Sequence, residues 1–303
     1  MTIDRRAFLA SAGAALLAPS PLLAQAQAQA QAQATADAPS AKALIVGFSY
    51  FDMPGNILPN TLADGRLIGQ TMRRLRFGSV TTIEDGTPDA ALSRIGSFVD
   101  GLNSDDMAIV YFAGHGIQIA DENLIVLPGG QTFLGLRSLI DTLRAKTDTV
   151  IFFLDACRNN PFQEVPAEAQ VSRALTRGMA QASFLTLDLE EVAGPNPARA
   201  STLRAFSLQG SGVKIVFSTD PNNVALDGAT PASANSPFAQ SLARRLIERR
   251  SLDDIVSMTT GDVIETTNGR QSPWSQGSID RPIFLAGQPR QRNPSRPPFQ
   301  VPG

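Results

Sequence analysis

Four runs in this sequence are strongly apolar and only strand-long: ALIVGFS (43–49), MAIVYFA (107–113), TVIFFLDA (149–156) and VKIVFSTD (213–220). Runs of this length and character are the mark of buried strands. Such strands carry apolar groups on successive positions, so their sheet must be covered on both faces. The intervening sequence supplies the covers. Residues 62–76 set Leu62, Leu67, Ile68, Met72 and Leu75 on one helical stripe. Residues 87–102 open with Thr87 as N-cap and Pro88 at the first helical position, and Leu92, Ile95, Val99 and Leu102 then share a face. Further helices are predicted over 134–145, over 235–250 behind a Ser236 cap with Pro237 following, and over 251–267. SVTTI (79–83) is β-branched and reads as a strand. Residues 117–128 read as a hairpin turning at Asp121-Glu122-Asn123, and PIFL (282–285) as a last short strand. Strands alternating with helices predict an α/β three-layer sandwich with a mostly parallel sheet. Ligands of such sheets bind beyond the carboxyl ends of the strands.

Composition narrows the chemistry. The 303 residues carry a formal net charge of −2, which leaves no basic footprint for nucleic acid. One cysteine and one histidine allow neither an internal disulfide nor a His/Cys zinc site, which needs three or four such ligands. A carboxylate-bound cation stays open.

The first 26 residues read as an export signal peptide. Arg5 and Arg6 form a basic start, an apolar run extends from Ala7 to Leu23, and a small-x-small site follows at Ala24-Gln25-Ala26. DRRAFLA resembles the twin-arginine export motif, the competing reading being a general secretory signal with chance arginines. Gly13, Pro19 and Pro21 interrupt the run, so no membrane-spanning helix is expected. This predicts an exported, periplasmic protein. Residues 27–40 read as a low-complexity linker and 287–303 as a disordered tail rich in Pro and Arg. One domain, 41–286, lies between them, with a polar connecting region at 161–211.

The chemistry-bearing residues are His115, in YFAGHGIQ, and Cys157, in FFLDACRNNPF. Each is expected just past the carboxyl end of a buried strand, and neighbouring parallel strands would bring both to one sheet edge. A thiolate attacks a carbonyl far better than a thiol, and a nearby imidazole can lower the thiol pKa or move protons between nucleophile and leaving amine. Backbone N–H groups of Gly116 and Cys157 are candidate donors to the developing oxyanion. A lone Cys after a strand is more often a small hydrophobe, but matched positions at two strand ends favour a reactive pair. Papain-type proteases have the reverse Cys-then-His order, and thioredoxin-like chemistry needs a second cysteine.

At these residues the chain resembles the caspase-like cysteine peptidases (peptidase family C14), most closely their bacterial, metacaspase-like members. VYFAGHGIQ is similar to the family's strand–His–Gly segment, and FFLDACRNNPF to its strand–Asp-x-Cys segment. The resemblance extends to LPNTLADGRLIGQTMRRLRF (58–77), VFSTDPNNVALDG (216–228) and NSPFAQSL (235–242). It implies a caspase-like sandwich with a six-stranded sheet, a large-subunit-like part at 41–160 and a small-subunit-like part at 212–286. It implies Cys157 as nucleophile and His115 as general acid/base. Animal caspases carry Q-A-C-x-G and cut after Asp, whereas Asp155 and Asn159 stand at the corresponding positions here. Metacaspases have Asp at the first of these places and accept Arg or Lys at P1. Their second pocket carboxylate corresponds to Asp64, for which a dipole-favoured place at a helix N-terminus is the alternative. Asp220 is a third candidate for that pocket, and a turn-forming TDPN explains it equally well. The implied partner is a peptide or protein with a basic P1 residue. Arg173, Arg177, Arg199 and Arg204 in the connecting region are candidate self-cleavage sites. No cofactor is implied. Some metacaspases need calcium, and nothing here resembles an EF-hand loop. The competing functions are a non-catalytic binding module of the same fold and a thiol hydrolase acting on a non-peptide amide of the cell envelope.

Overall fold

A computed structural model describes residues 40–119, 122–157, 174–177, 183–188, 211–220, 225–230 and 232–289. The export segment, the linker as far as 39, the tail from 290, and Arg173, Arg199 and Arg204 lie outside these residues. No helix among the described residues is long and apolar enough to cross a membrane.

Each apolar run forms a strand. Ser40–Gly47 (β1), Ser79–Ile83 (β2), Asp106–Ile119 (β3), Thr149–Cys157 (β6) and Val213–Phe217 (β9) pair with one another in parallel, and Trp274–Ser278 (β10) joins β9 antiparallel. The main sheet thus has six strands in the order β2-β1-β3-β6-β9-β10. The predicted six-stranded, mostly parallel sheet is the observed one. A second, antiparallel set grows from the far end of β3. It runs through Glu122–Val126 (β4), Thr132–Gly135 (β5), Ser183–Asp188 (β8) and Ala174–Arg177 (β7). Two of these strands come from the connecting region that the sequence shows only as a polar stretch, and Arg177 ends one of them.

The sheet is dry on both faces because its strands alternate between two cores. Leu44, Val46, Val110, Phe112, Phe152 and Leu154 face Pro88–Asp100 (α2) and Leu136–Arg144 (α3). Ile45, Ile109, Tyr111, Ile151 and Phe153 face Thr61–Arg74 (α1), Pro237–Leu246 (α4) and Leu252–Thr266 (α5). The predicted caps are present. Thr87 accepts from the Ala90 N–H at 3.2 Å and Ser236 from the Ala239 N–H at 2.9 Å. Helix α1 departs from its predicted stripe. Leu62 and Leu67 are only partly buried, whereas Asp64, Gly65, Ile68, Gly69 and Met72 are inside. Its first turn lies so close to β1 that a Cβ on Gly47 would stand 2.7 Å from the Thr61 carbonyl oxygen. This approach buries Asp64.

Two readings of the sequence are corrected. PIFL (282–285) is not a strand. Pro282 has no N–H to donate, and Ile283 and Leu285 instead pack into the core beneath α5, where the Ile283 carbonyl accepts the Leu252 N–H at 2.8 Å. The last strand is the polar WSQGS, held by its ladder and by Trp274 stacking on Phe217 at 4.4 Å. The strand before His115 also continues through it to Ile119, because it becomes the first arm of the β3–β4 hairpin.

Candidate active site

His115 and Cys157 are register partners in the parallel β3–β6 pair, at its carboxyl end. Cys157 is the last residue of β6. The two residues, distant in sequence, therefore face each other across one strand spacing, about 4.8 Å.

The imidazole of His115 is buried, with 4% of the residue exposed. Its Nε2 lies 2.6 Å from the Asn56 carbonyl oxygen. A carbonyl only accepts, so Nε2 carries the proton, and in the neutral ring Nδ1 is the free lone pair. Nδ1 is buried and has no partner among the described residues. Burial pushes the imidazole pKa below its ordinary value, and the Asn56 bond offsets part of that. A neutral ring with a bare Nδ1 is the form needed to take a thiol proton. Tyr50 lies against the imidazole with ring centroids 4.5 Å apart, and its Oη accepts the His115 N–H at 3.0 Å. Successive N–H groups of a strand point to opposite edges. The His115 N–H points to the Tyr50 edge, so that of Gly116 points to the β6 edge.

A cluster of carboxyl groups lies on the α1/α4 face of the sheet. Asp155, two residues before Cys157, is buried and accepts at Oδ2 from Tyr111 Oη at 3.0 Å and Ser236 Oγ at 2.6 Å. Asp64, 1% exposed, accepts at Oδ1 from Asn235 Nδ2 at 2.8 Å and the Ser236 N–H at 2.9 Å. Ser236, at the N-terminus of α4, therefore holds both carboxyl groups. Asp227 is partly buried and joins from the loop after β9. Asn60 ties it to the start of α1, donating Nδ2 to the Asp227 carbonyl at 2.6 Å and its own N–H to Oδ2 at 3.3 Å. Desolvation and the neighbouring Asp155 raise Asp64 to about 8, against the hydrogen bonds from Asn235 and Ser236. Desolvation raises Asp155 to about 6, against hydrogen bonds led by Ser236 and Tyr111. Burial also raises Asp227. Desolvation and the same carboxylates hold the Tyr111 hydroxyl far above its usual range. None of these three Asp residues joins any ion pair among the described residues.

Asp220 is half-buried at the end of the β9 segment and accepts from Thr219 Oγ1 at 3.3 Å. The third carboxylate acting on Asp64 and Asp155 is Asp227. It stands in the VALDG stretch, and its sequence gave no sign that the loop folds back onto the start of α1. Tyr50, Asn56, Tyr111 and Asn235 were equally unmarked, and Ser236 was marked only as a cap. Among the described residues no group of three or more His, Cys, Asp or Glu side chains is arranged to hold a metal ion.

Comparison with known proteins bears on the whole of this architecture. The profile of the caspase domain (peptidase family C14) matches residues 40–284. The solved structure of caspase-1 from Spodoptera frugiperda is similar with a TM-score of 0.52 at 16% sequence identity, over 84% of this chain and 92% of that one. At that identity the likeness concerns the fold. No curated protein matches the chain by sequence.

Proposed function

The chain belongs to the caspase-domain family, and from that premise we propose that it is a cysteine endopeptidase working through a His115/Cys157 dyad and cutting after Arg or Lys. The observation that carries the proposal is the pairing of His115 with Cys157 at the carboxyl end of the β3–β6 pair, with Nδ1 bare beside an Nε2 committed to Asn56. Nδ1 takes the Cys157 proton, and the thiolate sulfur adds to the substrate carbonyl carbon. The oxyanion draws on backbone N–H groups, with Gly116 and Cys157 as donors. The C–N bond then breaks as His115 returns the proton to the leaving amine. Water, deprotonated by the same imidazole, hydrolyses the thioester and restores the thiol.

Specificity follows from the carboxyl cluster. A guanidinium or ammonium entering beside Asp155 and Asp64 would meet two carboxyl groups that no described residue pairs with as a cation, and charge-assisted bonds reward it. An Asp side chain at P1 would meet like charge. Asp220 is included as an outer member of this pocket. The arginines of the connecting region, Arg177 among them, are candidate self-processing points for such an enzyme. Export to the periplasm by the twin-arginine route is the proposed setting. Calcium dependence is part of the same test.

A panel of fluorogenic peptides with Arg, Lys or Asp at P1, together with non-peptide amides, assayed with and without calcium, tests the proposal. Hydrolysis of the basic substrates is expected, and Cys157→Ala is expected to abolish it. Retained activity in C157A, or a preference for Asp at P1, overturns it. Turnover of non-peptide amides alone identifies the chain as an envelope amidohydrolase, and failure of the thiol to react with an electrophilic Arg-peptide probe as a binding module.

A further inference from the structure

The edge of β3 that faces away from Cys157 changes partner at the histidine. Strand β1 pairs along this edge as far as Gly47 and Ala113, and the Phe48 N–H still reaches the Ala113 carbonyl at 3.0 Å. Strand β4 takes over at Gly116, opposite Ile125. Continuing that antiparallel register by one rung would set His115 against Val126. The rung is not made directly. The Tyr50 hydroxyl stands in it, accepting the His115 N–H at 3.0 Å and donating to the Val126 carbonyl at 2.7 Å. The hydroxyl both accepts and donates in the bridge, and the residue is 1% exposed.

Three further observations show that the chain is built around this bridge. Tyr50 has a φ of 56°, a left-handed conformation that a bulky residue adopts only where the surroundings impose it. A Cβ on Gly114 would stand 2.7 Å from Tyr50 Oη and 2.6 Å from Phe112 Cζ, so the residue before the histidine must be glycine. The Tyr50 carbonyl accepts the Met53 N–H at 2.9 Å and the Met53 carbonyl accepts the Asn56 N–H at 2.9 Å. These two turns carry the chain back so that the Asn56 carbonyl meets Nε2 of the same histidine. One residue thus holds the backbone of His115 directly, its ring by contact, and the acceptor of its Nε2 proton through the loop.

We propose that Tyr50 is a positioning residue for the dyad. Its hydroxyl, inserted in the β3–β4 rung, together with its ring and the loop it starts, fixes His115 in the Nε2–H tautomer with Nδ1 turned to the reaction. In this role Tyr50 acts through His115. The inference rests on His115 being the proton carrier, and its test is chosen to be separable from that reading.

His115 is the only histidine, so its ring ¹⁵N signals in a long-range ¹H–¹⁵N spectrum need no assignment. In the wild-type chain at neutral pH the Nε2–H form should be in roughly tenfold excess, as one specific hydrogen bond can enforce. Tyr50→Phe keeps the ring and removes the bridge. It should bring the two tautomers to within about twofold of each other and lower kcat by about 10- to 100-fold, the penalty of a misplaced catalytic group. KM for an Arg-P1 peptide should stay within about twofold, because the carboxyl pocket is untouched. An unchanged tautomer ratio and unchanged kcat in folded Y50F overturn the proposal, as does an effect confined to KM. A chain without peptidase activity that still shows the tautomer change refutes the functional reading and leaves this one standing. If Y50F does not fold, hydrogen exchange of the wild-type His115 amide decides. Protection comparable to neighbouring β3 amides supports the bridge, and exchange at the rate of an open loop overturns it.

Discussion

Selectivity for a basic P1 residue should switch on with pH, and the pocket sets how steeply. Burial and the neighbouring Asp155 push Asp64 up to about 8, and burial with Asp227 pushes Asp155 up to about 6. An arginine gains most from ionised partners, so its binding must displace these protons. Between pH 6 and pH 8 a carboxyl with a pKa of about 8 goes from roughly 1% to 50% ionised. That is about a 50-fold change, and Asp155 adds about a further twofold over the same range. His115 also titrates, so raw rates would mix two effects. Citrulline, nearly isosteric with arginine but neutral, removes the mixture when paired peptides differing only at P1 are compared. The ratio of kcat/KM for Arg over citrulline, which reports ionisations of the free enzyme, should rise about 50- to 100-fold from pH 6 to pH 8. Asp64→Asn should flatten most of that rise and lower the ratio at pH 8 by about 10- to 100-fold, the loss of a charge-assisted bond. A ratio independent of pH, or one that falls as pH rises, would refute the assignment of these carboxyl groups to the P1 pocket.

The same shifts predict a stability trade. A carboxyl whose folded pKa lies above its unfolded one contributes stability that is fully present below the unfolded value, near 4, and is lost as pH rises through the folded value, about 8 for Asp64. Asp64→Asn should therefore melt with the wild type at pH 4 but roughly 2–8 °C higher at pH 9 by calorimetry, while losing Arg selectivity. A lower melting temperature at pH 9 would contradict this. Ser236→Ala removes the cap on Ala239 and the Oγ donor to Asp155 together. Denaturant titration should show a loss of about 1–2 kcal/mol, and the Arg/citrulline ratio should begin its rise at higher pH because Asp155 becomes harder to ionise. A pH profile that does not move would separate Ser236 from the pocket.

The sequence by itself determined the sheet and the placement of His115 and Cys157 at one sheet edge. Runs such as MAIVYFA and TVIFFLDA are apolar at nearly every position, a pattern satisfied only between two covered faces. Thr87-Pro88 and Ser236-Pro237 announced two helix starts within a residue, since a cap and a proline act locally. The GHG and DAC segments stood out because one His and one Cys leave no competing pair. What the sequence could not disclose depends on contacts between distant segments. WSQGS looks nothing like a strand, and its ladder with Val213–Phe217 and the Trp274–Phe217 stack make it one. PIFL looks like a strand and is core packing instead. Strands Ala174–Arg177 and Ser183–Asp188 lie in a mostly polar stretch, where the alternation Leu185-Thr186-Leu187-Asp188 is too short to fix a partner, and they follow the edge offered by Thr132–Gly135. Asp64 read as a pocket carboxylate by resemblance or as a helix-start acid, and only the close approach of α1 to β1 and the turn of Ser236 toward it make it buried with a raised pKa. Tyr50 follows the predicted strand 43–49 and carried no reading of its own. The tertiary structure put its hydroxyl into the β3–β4 rung at His115, because β3 passes there from β1 to β4 and a buried N–H and C=O had to be satisfied.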